Sequence, residues 1–101
     1  MLYKTNPDNF IAATETIKAL AHPQRLCIVK TLCERDEASV TEMQGCLDEA
    51  QSKVSQHLAR LKATNIVVGK RKGNKIYYSL SDKKVLAVMG PIIQQYLTEP
   101  L

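Results

Sequence analysis

No run of apolar residues in this chain approaches the length that spans a bilayer, and residues 1–8 lack the apolar core of a secretory signal. A cytoplasmic protein with no membrane partner is expected. There is no CxxC pair either: Cys27, Cys33 and Cys46 form an odd set whose spacing announces neither a disulfide framework nor a structural zinc site. Reduced thiols in a reducing compartment follow. A glycine-rich phosphate loop and a nucleophile elbow are both missing. The two histidines, His22 beside Pro23 and His57 within a polar stretch, suggest no catalytic pair. No enzyme, cofactor or metal is therefore expected.

What remains is foldable. Its 101 residues suffice for one domain over 1–101 with one modest core, and 45% hydrophobic with 24% charged residues belongs to a globular chain. A net charge of +4 and a pI near 9.1 favour a polyanionic partner, although the placement of charge says more than its sum.

The stretch from Gln51 to Lys62 organises the rest. At 100° per residue, Val54, Leu58 and Leu61 fall in one narrow arc while Ser52, Ser55, Gln56 and Ala59 fall opposite. A helix with short polar groups outward suits the major groove of DNA, where base edges must be approached closely. An ordinary solvated surface helix has the same pattern, so the neighbours must decide. His57 lies about 60° from Val54, half inside by this count, with a DNA-facing and a buried role both open.

Before that stretch, Asp8 is positioned to cap a helix over 8–21 with Phe10, Ala13, Ile17 and Leu20 on one stripe. The dipeptide His22-Pro23 interrupts it, since proline lacks an amide hydrogen and suits the first turn of the next helix. From Pro23 to Glu34, Leu26, Val29, Leu32 and Cys33 share a side and Cys27 projects away. Ser39 or Thr41 then caps a short helix through Leu47, and Ser39 with Glu42 fits a capping box. A turn at 48–50 leads into the focal helix, giving a helix-turn-helix over 39–64 that ends at Asn65.

Beyond it, residues 66–72 and 75–80 read as two strands around Gly73-Asn74, a hairpin over 66–80 with Lys70, Arg71, Lys72 and Lys75 at its tip. A basic ribbon beside a helix-turn-helix is placed to lie along phosphates. Edge lysines that merely keep a hairpin soluble are the alternative. A last helix over 82–97, capped by Ser81 or Asp82, has a wide stripe including Val85, Leu86, Met89, Ile92, Ile93, Tyr96 and Leu97, with Gly90-Pro91 expected to kink or weaken its middle. So much terminal apolar surface predicts packing with the first helix against a second copy. A two-fold homodimer would set two recognition helices about 34 Å apart on a near-palindromic double-stranded operator.

The order of helix, residues 20–26, helix-turn-helix with residues 51–58, basic hairpin closing at 76–80 and terminal helix resembles the ArsR/SmtB family of winged-helix repressors over nearly the whole chain. The resemblance implies a mainly α fold with a small β-hairpin: a winged helix-turn-helix of five helices that dimerises through the first and last. It also implies a sequence-specific repressor that a chemical signal releases from DNA, thiol modification being one such signal. Carried onto matching positions, Gln51, Ser52, Lys53, Ser55, Gln56 and His57 fall in the recognition helix and Arg71, Lys72, Asn74 and Lys75 in the wing. Ser52, Ser55 and Gln56 are assigned to base edges or nearby phosphates, Lys53 and Arg60 to phosphates. Two departures precede this helix, Ala50 for a capping serine and Glu49 for an apolar residue. A looser turn, or capping from Asp48, is expected.

The family's metal sites do not carry over. Ser39 and Thr41 stand where one class places thiolates, and Asp82, Lys84, Gln95 and Thr98 where another places Asp and His ligands. The cysteine pair of sulfide-responsive members fails too, because Lys30 occupies the second-helix position and the last helix has no cysteine. Cys27 and Cys33 are about 9 Å apart in rise and 120° in direction on one helix, too far for a disulfide. Cys27, Cys33 and Cys46 are the candidates for a thiol sensor, Cys27 foremost and Cys33 more a core residue. The competing function is a winged helix used for protein contacts, or an antagonist of another repressor; the polar helix face and basic wing speak against it.

Overall fold

Proline places the starts of the first two helices in the computed structural model, which describes residues 2–98. Helix α1 spans Pro7–Leu20 and α2 spans Pro23–Glu34, each with proline in its first turn, where no amide hydrogen is required. Asn6 rather than Asp8 is the N-cap of α1, because Pro7 already fixes a helical φ. Asp8 sits in the first turn, where its charge meets the positive end of the dipole. Residues 1 and 99–101 of the expected 1–101 domain lie outside the described residues.

A two-residue strand β1, Ala38–Ser39, precedes α3, Val40–Leu47. Ser39 is also the N-cap of α3: its hydroxyl accepts from the Glu42 amide at 3.3 Å while Glu42 Oε1 accepts from the Ser39 amide at 3.3 Å, so the capping box forms. Asp48 ends α3 in the left-handed region at φ 51 and does not cap the next helix. That helix, α4, runs Gln51–Ala63 from Ala50, which offers no side-chain cap. Asn65 then turns left-handed at φ 60, as its position after the helix predicts.

Strands β2, Val67–Lys72, and β3, Lys75–Leu80, form the hairpin, with Gly73 at φ +65 supplying the turn. The sheet is three-stranded in order β1-β3-β2, larger than the two-stranded wing read from sequence. Ala38 pairs with Tyr78 and Ser39 with Tyr77, which ties the wing to the start of α3. Helix α5 spans Lys83–Ile92 with Asp82 Oδ1 accepting from the Lys84 amide at 2.9 Å. Pro91 lies inside it, and a π-helical turn, Ile93–Leu97, follows, so the helix expected over 82–97 turns irregular just after the Gly90-Pro91 pair expected to kink or weaken it.

The core gathers Ile28, Val29 and Leu32 from α2, Met43 from α3, Val54, Leu58 and Leu61 from α4, and Met89 from α5. Ile28, absent from the expected α2 stripe, is among the most buried side chains. Of the expected α1 stripe only Leu20 is buried; Phe10 and Ile17 stay exposed, as do Leu86, Val88 and Tyr96 after the wing. The first and last helices thus carry an apolar surface that this chain alone does not cover. No helix among the described residues is long and apolar enough to cross a membrane.

Candidate nucleic-acid interface

Helix α4 divides as its periodicity predicts. Val54, Leu58 and Leu61 are buried, while Gln51, Ser52, Lys53, Ser55, Gln56 and Arg60 are exposed. Between α4 and the wing lies an open groove of about 340 Å³, lined by Gln51 and Ser55 from the helix and by Arg71, Asn74, Lys75, Ile76 and Tyr78 from the hairpin. Five of the eleven expected contact residues therefore share one concave surface. Ser52, Lys53, Gln56 and Arg60 are exposed on α4 but do not line it.

Register explains how the wing divides its cations. Arg71 pairs with Ile76 and Gly69 with Tyr78, whereas Lys70 pairs with Tyr77 and Lys72 with Lys75, so Arg71 and Lys72 point to opposite faces, while Lys75, beside the turn, still lines the groove. Arg71 consequently faces the groove. Lys72 turns to the other side, where its Nζ sits 2.5 Å from Glu37 Oε1 and 5.3 Å from the centre of the Tyr77 ring. Gly69 lies close beneath Tyr78: a Cβ there would be 3.1 Å from both Tyr78 Cε1 and Ile76 Cγ2.

His57 is the one expected DNA residue on α4 that points inward. It is 8% exposed, and its Nε2 lies 2.8 Å from Gln24 Oε1. Burial, then the neighbouring His22, Arg25 and Lys53, push its pKa down, which favours the neutral ring. The turn before α4 is held closed rather than loosened by Glu49: its carboxylate accepts from Gln24 Nε2 at 2.8 Å and from the Ala50 amide at 3.1 Å. Those two hydrogen bonds, that from Gln24 first, hold the Glu49 pKa below its ordinary value. Gln24 escaped sequence reading because its partners lie 25 and 33 residues further along the chain.

The cysteines are all free; Cys27 and Cys33 are half-buried and Cys46 is exposed, so Cys46 rather than Cys27 is the most accessible. Desolvation, with Glu34 nearby, raises the Cys33 pKa and keeps it a thiol. Ser39 and Asp82 are both engaged as helix caps, and among the described residues no three His, Cys, Asp or Glu side chains cluster as metal ligands would. The residues present do not fit either metal site of the family.

A helix-turn-helix whose second helix shares a groove with a basic hairpin defines a winged-helix protein of the DNA-binding class. The model of the bacterial regulatory proteins of the arsR family matches residues 22–68. Transcriptional repressor PagR of Bacillus anthracis is 37% identical over 81 residues, covering 77% of this chain and 81% of that protein. Nodulation protein NolR of Rhizobium meliloti is 36% identical over 80 residues, 79% of this chain, which spans 65% of the length of NolR. The solved structure of reduced HlyU from Vibrio cholerae N16961 superposes with a TM-score of 0.87 at 31% identity, covering 96% of this chain and 100% of that one. The chain belongs to the arsR family of bacterial transcription regulators.

Proposed function

We propose that the protein is a transcriptional repressor that binds a near-palindromic operator as a homodimer and leaves it when a chemical signal arrives. The observation that carries this reading is the groove in which Gln51 and Ser55 of α4 face Arg71, Asn74 and Lys75 of the wing. Ser52, Ser55 and Gln56 reach base edges, Lys53 and Arg60 take flanking phosphates, and Arg71, Asn74 and Lys75 follow the backbone beside them. Lys72 is held in reserve by Glu37, and His57 supports the helix from within.

The apolar side chains left exposed on α1 and α5, Ile11, Ile17, Leu86 and Val88 among them, support dimerisation through those two helices. PagR is named a repressor and HlyU a transcriptional activator, so repression is the choice between two outcomes of the same DNA binding. An accessible thiol at Cys46 and half-buried ones at Cys27 and Cys33 support a thiol-reactive signal.

The test is binding of the reduced protein to DNA from upstream of its own gene, at fixed salt, before and after an oxidant, sulfane sulfur, arsenite, zinc and cadmium. Tight sequence-dependent binding released by one agent supports the full reading, and persistence of release in a cysteine-free variant removes the thiol from it. Binding without sequence preference would favour a winged helix used for protein contacts.

A further inference from the structure

Behind the surface assigned to DNA, one side chain joins three parts of the helix-turn-helix. Gln24, in the first turn of α2, donates from Nε2 to Glu49 Oε2 at 2.8 Å, and its Oε1 lies 2.8 Å from His57 Nε2. A carboxylate only accepts, so Glu49 fixes which way the amide of Gln24 faces. Its oxygen therefore meets His57, and His57 must carry a proton on Nε2 and donate it. A second imidazole backs the first: His22 Nδ1 accepts from the Gln24 backbone N–H at 3.1 Å, and the two rings lie 4.5 Å apart, tilted by 48°. The Nε2 proton of His57 is present in both the neutral and the charged ring, so it is burial and the cations nearby, rather than this hydrogen bond, that favour the neutral form of His57.

Ile28 of α2 and Leu58 of α4 belong to one apolar core, and apolar contact has little directional preference. Burial of Val54, Leu58 and Leu61 sets the roll of α4 coarsely. A hydrogen bond is directional, and this one is made by the residue that follows Gln56. We propose that Gln24 is a positioning residue for DNA recognition: its side-chain amide sets the roll of α4 that presents Ser52, Ser55 and Gln56, and acid that charges the buried His57 ring beside it loosens that hold. This rests on the DNA-binding function proposed above.

The charges around His57 give the direction of the acid effect. His22 and Arg25 face it from the α2 end and Lys53 from α4, with Glu49 of the preceding turn as the one opposing carboxylate. The folded pKa of His57 is lowered, so its contribution is fully present above the ordinary value of about 6.5 and is lost as pH falls through the lowered value. A histidine lying against phosphates would do the reverse and tighten binding in acid. The two behaviours have opposite signs.

The experiment measures affinity for a duplex from upstream of the gene and for a shuffled duplex of equal composition, between about pH 7.5 and 5.5, with melting followed in parallel. In the wild type the ratio of the two affinities should fall toward acid. Gln24→Leu should lower the ratio about tenfold at neutral pH, one hydrogen bond's worth, and make it insensitive to pH, with shuffled-duplex affinity unchanged. His57→Gln, which keeps a donor toward Gln24 without titrating, should retain the neutral ratio and lose most of the acid fall. A wild-type ratio that is flat or rises in acid overturns the proposal, as does Gln24→Leu with a wild-type ratio or an equal loss on both duplexes. If Gln24→Leu does not fold, the wild-type profile and His57→Gln decide. A wild type without sequence preference at any pH overturns the repressor reading and this inference together, whereas preference undisturbed in Gln24→Leu overturns only the inference.

Discussion

Replacing Arg71 with alanine should flatten the salt dependence of operator binding far more than replacing its neighbour Lys72. Each phosphate neutralised contributes about 0.9 to the slope of log affinity against log salt, and a homodimer loses the contact twice, so Arg71→Ala removes about 1.8. Between about 50 and 200 mM salt, a span of about fourfold, the wild type should lose about twelvefold more affinity than the variant. Lys72 starts from a different state, because its ammonium is already 2.5 Å from the Glu37 carboxylate. An exposed pair of this kind is worth up to about 1 kcal/mol, enough to keep the lysine on Glu37 for most of the time. Lys72→Ala should therefore change the slope by less than half as much, and Glu37→Gln should steepen it by freeing the lysine. Fluorescence anisotropy of a labelled operator duplex across a salt series reads all three. Equal slopes for the two alanine variants, or a flatter one for Lys72→Ala, would refute the division of the wing into two faces.

Gln56→Ala should relax discrimination at a few base pairs by about 1–3 kcal/mol each while leaving the salt slope unchanged, measured with single-pair operator variants. Ser39→Ala removes the hydroxyl that caps α3 and should cost about 1 kcal/mol, a fall of about 4–8 °C in Tm by circular dichroism. Hydrogen bonds from the Ser39 backbone first, and from Arg35, hold the Glu42 pKa below its ordinary value. The stabilising contribution of Glu42 is thus present above about pH 4.3 and lost as pH falls through the lowered value, so urea midpoints of the wild type and Glu42→Gln should converge in acid. Gly69→Val places a Cβ 3.1 Å from Tyr78 Cε1 and Ile76 Cγ2 with two methyls beyond it, and should destabilise by about 1–3 kcal/mol in urea titration.

The features legible in the sequence are those decided within a few residues. His22-Pro23 divides two helices because proline has no amide hydrogen to give, Ser39 and Glu42 cap each other three positions apart, and Gly73 and Asn65 stand where a left-handed backbone is required. The α4 face was legible because Val54, Leu58 and Leu61 repeat at the helical period. What escaped depends on distant partners. Strand β1 is two residues long and exists only through Tyr77 and Tyr78, nearly forty positions later. His57 sits at the margin of the buried arc, where angle alone leaves its direction open, and Gln24 settles it. Glu49 reads as a departure from a family pattern until that same glutamine supplies it with a partner. Lys72 reads as one more basic wing residue, and neither spacing nor composition reveals Glu37 opposite it.

Just beyond the far end of α4, the chain is joined to the residues that lead into α5. The Ser81 amide donates to the Ile66 carbonyl at 2.9 Å, and the Ser81 hydroxyl donates to the Asn65 carbonyl. From that joint α4 extends its 13 residues to Gln51, a lever arm of about 20 Å. A tilt of about 5° at the joint would swing the leading turn by about 1.7 Å, more than a hydrogen bond tolerates before it is lost. The helix assigned to the dimer and the helix assigned to the operator thus share a fulcrum, and its long arm enlarges any displacement at the DNA end.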